Sequence, residues 1–360
     1  MSNSGFFSRL FNSITTSIRS GLWFTLIVVM AATSLIIVAL TVTSDAAAAP
    51  GTDAGRMAFS FVIFLVLVAT LLGIPTVLIS IRERLGQLSF LQTYLLTVAV
   101  GLSFVVVVVP AMLWAVLSTG VGVDVWLPTL GVTKLEVWVI ALLVALAHWA
   151  VKSGGAATVT AFGLIAGVTI GPLVVVGAAS FAPPIKQTTS NSWIEYTGQD
   201  QPIDPATGYP LDPTCPSKNW SWSYITDYSS VWAAMPTNPV VFVSSSIEPA
   251  IGDYVMPGYS EPGFETPPPL PAVPVPLDLF SSVDVAVRAL QIPVKTDLVN
   301  DECANLAEFG TAYPNNGQAD PRDIIAESHS GFLAGVIGQA AYLVVASVIL
   351  VMVRARSRRS

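Results

Sequence analysis

Two cysteines, two histidines and 23 carboxylates are the residues of this 360-residue chain best suited by type to do chemistry. Cys215 and Cys303 lie too far apart for a CxxC redox pair or a zinc knuckle. Both fall in one acidic segment, so a structural disulfide in an oxidising compartment is the better reading. His148 sits in an apolar block four residues before Lys152, and His329 is the lone histidine of the acidic segment. No HExxH, GxSxG or P-loop pattern accompanies them. The carboxylates form no pair that stands out. The chain therefore reads as a non-enzyme, with no catalytic, cofactor-binding or metal-ligating residues.

Other residue groups suggest contact rather than catalysis. Trp220, Trp222 and Tyr224 alternate, which places their rings on one face of a strand. With Trp193, Tyr228 and Trp232 they make either the filling of a small core or a platform for a sugar or peptide; core filling is the plainer reading. Gly163, Gly167 and Gly171 recur at intervals of four, and Gly331, Gly335 and Gly338 follow near the C-terminus. Small residues so spaced let helices approach closely, within the protein or between copies of it in a homo-oligomer. Arg82 and Arg84 stand in a loop, 81–91, that mixes charge with apolar residues and suits a partner contact.

The elements that must position these residues are mostly apolar helices. Hydrophobic residues make up 53% of the chain and charged residues 11%, against about 25% charged in soluble domains. Six blocks predict membrane spans: 22–42, 57–81, 93–117, 135–151, 156–181 and 331–353. Pro75, Pro110 and Pro172 are expected to kink three of them. Placing the N-terminus in the cytoplasm gives nine basic residues on the inner segments against Arg56 and Lys134 on the short outer loops. That distribution obeys the positive-inside rule. The first block has the basic flank of a signal peptide but is too long for one, so it is expected to stay uncleaved. Glu136 is placed at the outer end of the fourth span, which leaves no ionisable group near mid-membrane. Proton- or ion-coupled carriers usually have one there.

The expected fold is an α-helical polytopic membrane protein. About six transmembrane helices carry one extracytoplasmic, loop-rich β or α+β domain. Residues 1–20 form a cytoplasmic amphipathic interfacial helix, with Phe6, Phe7, Leu10, Phe11, Ile14 and Ile18 on one side. Residues 21–181 form a five-helix membrane region, 182–330 the disulfide-stapled outer domain, 331–353 the sixth transmembrane helix and 354–360 a basic cytoplasmic tail. Within the outer domain, 240–247 and the alternating Val283, Val285 and Val287 predict strands. A proline-dense run at 257–276 predicts a rigid spacer. Residues 182–330 hold 18 acidic and 5 basic residues, a balance of −13. Nucleic acid is therefore not an expected partner.

An N-terminal interfacial helix over 6–18, a coupling segment over 82–91 and an outer insertion between spans five and six make a recognisable layout. In order and orientation it resembles the membrane half of a six-span ABC exporter. The resemblance implies a transport-associated permease subunit of the cell membrane, driven by a separate cytoplasmic ATPase docked near Arg82 and Arg84. The alternative is a non-catalytic, membrane-anchored binding or scaffold protein. It would present its acidic outer domain, with Trp220 and Trp222, to an envelope component or partner. Either way, the lipid bilayer is the common partner.

Overall fold

The computed structural model describes residues 8–12, 14–15, 21–43, 53–80, 88–119, 121–195, 202–204, 209–215, 218–254, 273–309 and 320–357. Residues 8–12 and 14–15 are helical, and Leu10 and Ile14 pack against the main core. The rest of the expected interfacial helix lies outside the described residues, as do Arg82, Arg84 and most of 257–276.

Long runs of Val, Ile, Leu, Ala and Phe then build α1 (Leu22–Thr43), α2 (Ala54–Ser80), α3 (Phe90–Thr119) and α4 (Val123–Ala150). Next come α5 (Gly154–Thr169) and α6 (Gly171–Ala179), a bent pair at 44°. Pro172 enters α6 in its first turn, where its missing N–H costs nothing. Five described helices are long and apolar enough to cross a membrane, or six if the bent pair is one span.

The fourth apolar helix is longer than the sequence suggested. It starts at Val123 rather than 135 and contains Pro128, Lys134 and Glu136. At 1.5 Å per residue it is about 42 Å long. The polar residues of its first half broke the hydropathy run without breaking the helix.

The helical core lies between α1, α2, α3 and α4. Phe59, Ile63, Leu67, Ile74 and Leu78 of α2 are fully buried in one cluster with Leu96 and Phe104 of α3 and Ile140 of α4. Gly73 and Gly101 allow the closest approaches. A Cβ on Gly73 would lie 2.8 Å from the Phe104 ring, and one on Gly101 would lie 2.5 Å from Val137. The outward faces keep large apolar side chains exposed, among them Phe24, Ile36, Leu72, Val106 and Leu113.

Between α6 and the last long helix the chain folds into a small mixed region. It contains β1 (Ile185–Ser192), β2 (Lys218–Ile225), a 3-10 turn (Trp232–Thr237), α7 (Pro239–Ser244), β3 (Ile251–Tyr254) and β4 (Val273–Pro276). It continues with α8 (Leu279–Ala289), β5 (Asp297–Asp301), α9 (Glu302–Phe309) and α10 (Pro321–Glu327). The chain then enters α11 (Phe332–Ser357). One sheet has the order β2-β1-β5, with β1 antiparallel to β2 and parallel to β5. The second sheet is the antiparallel pair β3-β4. Cys215 and Cys303 are joined, with Cα atoms 6.2 Å apart across 88 residues of chain. A loop of that length gives about 4–5 kcal/mol on the chain-entropy account.

Two expected strands are helices. The β-branched run after Asn238 forms α7, because Asn238 caps it through a 2.8 Å bond from the Val240 N–H and Pro239 occupies its first turn. Val283, Val285 and Val287 lie on α8. Asp278 caps that helix, accepting from the Ser281 N–H at 2.8 Å. Its buried positions, Phe280, Asp284, Val287 and Arg288, follow a helical period.

Candidate functional site

The aromatic row is set by the register of the three-stranded sheet. Tyr224, Trp222 and Trp220 on β2 stand opposite Lys186, Thr188 and Ser190 on β1. Directly paired residues share a face, so the three rings lie in line along it. Trp220, Trp222 and Tyr224 are 65%, 63% and 60% exposed. They therefore do not fill a core. Small polar residues beneath them, and the position of β2 at the sheet edge, leave nothing to cover the rings among the described residues.

Local contacts fix the row. Trp222 and Tyr224 meet edge to face with centroids 5.5 Å apart, and the Lys186 Nζ lies 5.6 Å from the Trp222 ring centre. Val299 of β5, opposite Ser190, extends the same face and is also exposed. The opposite face is polar. Asn191 donates to Ser221 at 3.2 Å and accepts from Asn300 at 3.5 Å. One side of the sheet is thus a ring surface and the other a hydrogen-bonded ladder.

A second constellation joins this region to the long helices. The turn Trp232–Thr237 and α7 seat on α11 over its glycines. A Cβ on Gly331 would lie 2.7 Å from Pro236, and one on Gly335 would lie 2.5 Å from Phe242. A Cβ on Gly338 would lie 2.0 Å from Thr237. Phe242 also stacks on Phe332 at 5.1 Å between centroids. Asn238 donates from Nδ2 to the Thr169 carbonyl at 2.6 Å, at the break between α5 and α6. Elsewhere, Arg56 at the start of α2 pairs with buried Asp278 at 3.1 Å.

Glu136 lies at this junction and is fully buried. One carboxylate oxygen accepts from the Gln339 amide, which also reaches the Thr237 carbonyl at 3.5 Å. The other oxygen has no partner among the described residues. Glu136 lies about 20 Å along α4 from Trp149 at 1.5 Å per residue. A hydrocarbon layer is about 30 Å thick, so the carboxyl falls within the apolar length of the helix. Glu136 thus stands midway along a 28-residue apolar helix rather than at the end of one, because α4 begins at Val123 and not at 135.

A third polar group holds α8 in place. Asp284 accepts from Ser245 Oγ at 2.9 Å and from Arg288 Nε at 2.6 Å. Burial pushes the Asp284 carboxyl above its ordinary value of 3.8, against the opposing pull of Arg288 and Ser245. Cys215, Asp301 and Cys303 also lie close together, but the two sulfurs are bonded to each other and offer no thiolate.

The glycines read from sequence separate into three kinds. Gly331 and Gly335 receive the Trp232–Thr237 turn and α7 rather than another long helix. Gly167 faces Tyr342 of α11, whose hydroxyl donates to the Leu164 carbonyl at 2.6 Å. Gly163 and Gly171 meet nothing within 4 Å. Gly73 and Gly101, the tight crossings of the core, carry no four-residue spacing and gave no sequence signal.

No protein-family model, curated protein or solved structure matches the chain.

Proposed function

We propose that the protein is a membrane-embedded, non-catalytic binding protein that presents the 182–330 region outside the cell to a partner protein. The observation that carries this reading is the exposed row Trp220–Trp222–Tyr224 on an edge strand. Large rings placed in line on a rigid sheet offer much contact area at little conformational cost. The open edge of β2 adds main-chain donors and acceptors that an extended partner segment can pair with. The acidic surroundings favour a basic or neutral partner over an acidic one.

The test is a photo-crosslinking residue at Val299, which is exposed on the ring face, used in native membranes. A discrete crosslinked protein is expected. Trp220→Ala with Trp222→Ala should remove it without lowering the amount of protein in the membrane. Interface tryptophans contribute about 2 kcal/mol or more each, so the paired change should weaken binding by roughly three orders of magnitude. A crosslink that survives the change rejects the reading, as does the absence of any crosslink.

A transport role is the second reading, and Glu136 favours it. A buried carboxyl within the apolar length of a helix bundle is a feature of ion-coupled carriers. An ATPase-driven permease remains the other form of this reading. For that form, a nucleotide-hydrolysing chain should co-purify in mild detergent, and Arg82→Ser with Arg84→Ser should release it. If no such chain co-purifies, the ATPase-driven form is rejected.

A further inference from the structure

At the end of the bundle away from the sheets, a cavity of about 600 Å³ opens between the ends of α3, α4 and α11. Its wall includes His148, Lys152 and Arg354, and no carboxylate among the described residues lines it. Ser89 and Thr93 add hydroxyls at the start of α3. There Ser89 and Gln92 form a reciprocal cap, the Ser89 N–H donating to Gln92 Oε1 at 3.0 Å and the Gln92 N–H to Ser89 Oγ at 3.3 Å. The cap leaves the positive end of a 30-residue helix facing the same space.

The apolar part of the wall fixes the orientation of the basic part. The Arg354 guanidinium lies over the Trp149 ring at 3.9 Å from its centre and donates to the Trp149 carbonyl. Phe90 meets the same ring edge to face at 6.3 Å. Lys152 reaches across to the Ser357 carbonyl at 3.2 Å, so α4 and α11 are tied together at this end. His148 Nδ1 donates to the Val144 carbonyl at 2.9 Å, and its Nε2 has no partner among the described residues.

We infer that this cavity binds the phosphate of an anionic phospholipid, with Lys152, Arg354 and the start of α3 receiving the negative charge. A phosphate is the chemistry that cations and a helix N-terminus recognise together. The lipid source follows from position. The cavity lies where apolar helices end, beside a tryptophan and an arginine of the kind that mark a membrane boundary. A free phosphate would have no use for the Phe90 and Trp149 walls. The inference rests on the protein being membrane-embedded. Alkaline carbonate extraction tests that separately, so an extractable protein defeats the embedding and leaves this inference unsupported for a different reason.

The full chain, purified and placed in bilayer discs of equal phosphatidylglycerol and phosphatidylcholine, provides the test. Native mass spectrometry of the released protein should show retained phosphatidylglycerol in about tenfold excess over phosphatidylcholine. Lys152→Gln alone removes an exposed side chain and should cut the excess severalfold. Lys152→Gln with Arg354→Gln should abolish it. Lys134→Gln, which removes an exposed cation elsewhere on α4, should leave it unchanged. Equal retention of both lipids would overturn the inference, as would an excess that survives the double change. Displacement of the lipid by millimolar inorganic phosphate would assign the site to a soluble phosphate instead.

Discussion

Asp284 is held by Arg288 and Ser245 in the sheet-bearing region, and its burial outweighs their pull. The sign of the consequence follows from linkage. A folded-state value above the unfolded one means that the native state binds the proton more tightly. The stability contributed by Asp284 is therefore present at low pH and falls as pH rises from the ordinary 3.8 through the folded value. Asp284→Asn does not titrate there. The unfolding free energy of the native protein minus that of Asp284→Asn should fall as pH rises above the ordinary 3.8 and level off once the folded carboxyl is ionised. Thermal denaturation at stepped pH measures the difference; a flat or rising curve would show that the pairing with Arg288 wins over burial. Glu136 teaches a different lesson at the same scale. It lies two residues from Lys134, and hydropathy alone put both at the rim of a span. Lys134 is exposed, 5.3 Å from the Trp138 ring centre, while Glu136 on the opposite side of the helix is buried. Neighbours in sequence point apart on a helix, so burial depends on face as well as depth.

At the scale of elements, the glycines of α11 carry the clearest expectation. Gly335→Ala would put a methyl 2.5 Å from Phe242 and 2.7 Å from the Pro236 carbonyl oxygen, which is backbone and cannot swing aside. Overpacking of this kind costs about 1–3 kcal/mol. Gly163→Ala meets nothing within 4 Å, so it should be neutral or gain up to about 1 kcal/mol of helix propensity. Unfolding in detergent should separate the two variants; equal tolerance would mean that α7 does not seat on α11. The four-residue spacing was visible in the sequence, but its occupant was not. The occupant is a non-local segment, and only Asn238-Pro239, a cap followed by a first-turn proline, hinted that the valines after it form a helix. Likewise the alternating valines of α8 suited a strand until Asp278 is read as a cap. In both places local capping chemistry outweighed β-branched composition. The strand β2 was legible because its aromatic alternation had no competing cap. What its rings face was not legible, since exposure depends on whether another layer covers the sheet.

For the whole molecule, the order of apolar helices and the two ends of the bundle support one arrangement. The ends of α3, α4 and α11 meet at the basic cavity through Arg354, Trp149 and Lys152. The start of α2 and the start of α11 meet the sheet-bearing region, through Arg56 with Asp278 and through Gly331 with Pro236. Successive helices therefore alternate direction between a basic end and an acidic one. A membrane orients such a chain with its short basic segments in the cytoplasm. On this account Ser357 is inside and the loop at Ser230 is outside. The native cysteines are bonded to each other, so a new thiol is the single target for a reagent that cannot cross the bilayer. In intact cells, Ser230→Cys should label fully and Ser357→Cys should label only after permeabilisation. Labelling of both in intact cells would require an even number of crossings between them, with α11 lying outside the bilayer. The reverse pattern would invert the protein, place the acidic region in the cytoplasm and remove the reason for a stable disulfide there. The two substitutions thus test orientation and the number of crossings together; Ser230 lies off the aromatic row and the glycine seat, and Ser357 meets Lys152 through its backbone carbonyl, which the change to Cys retains.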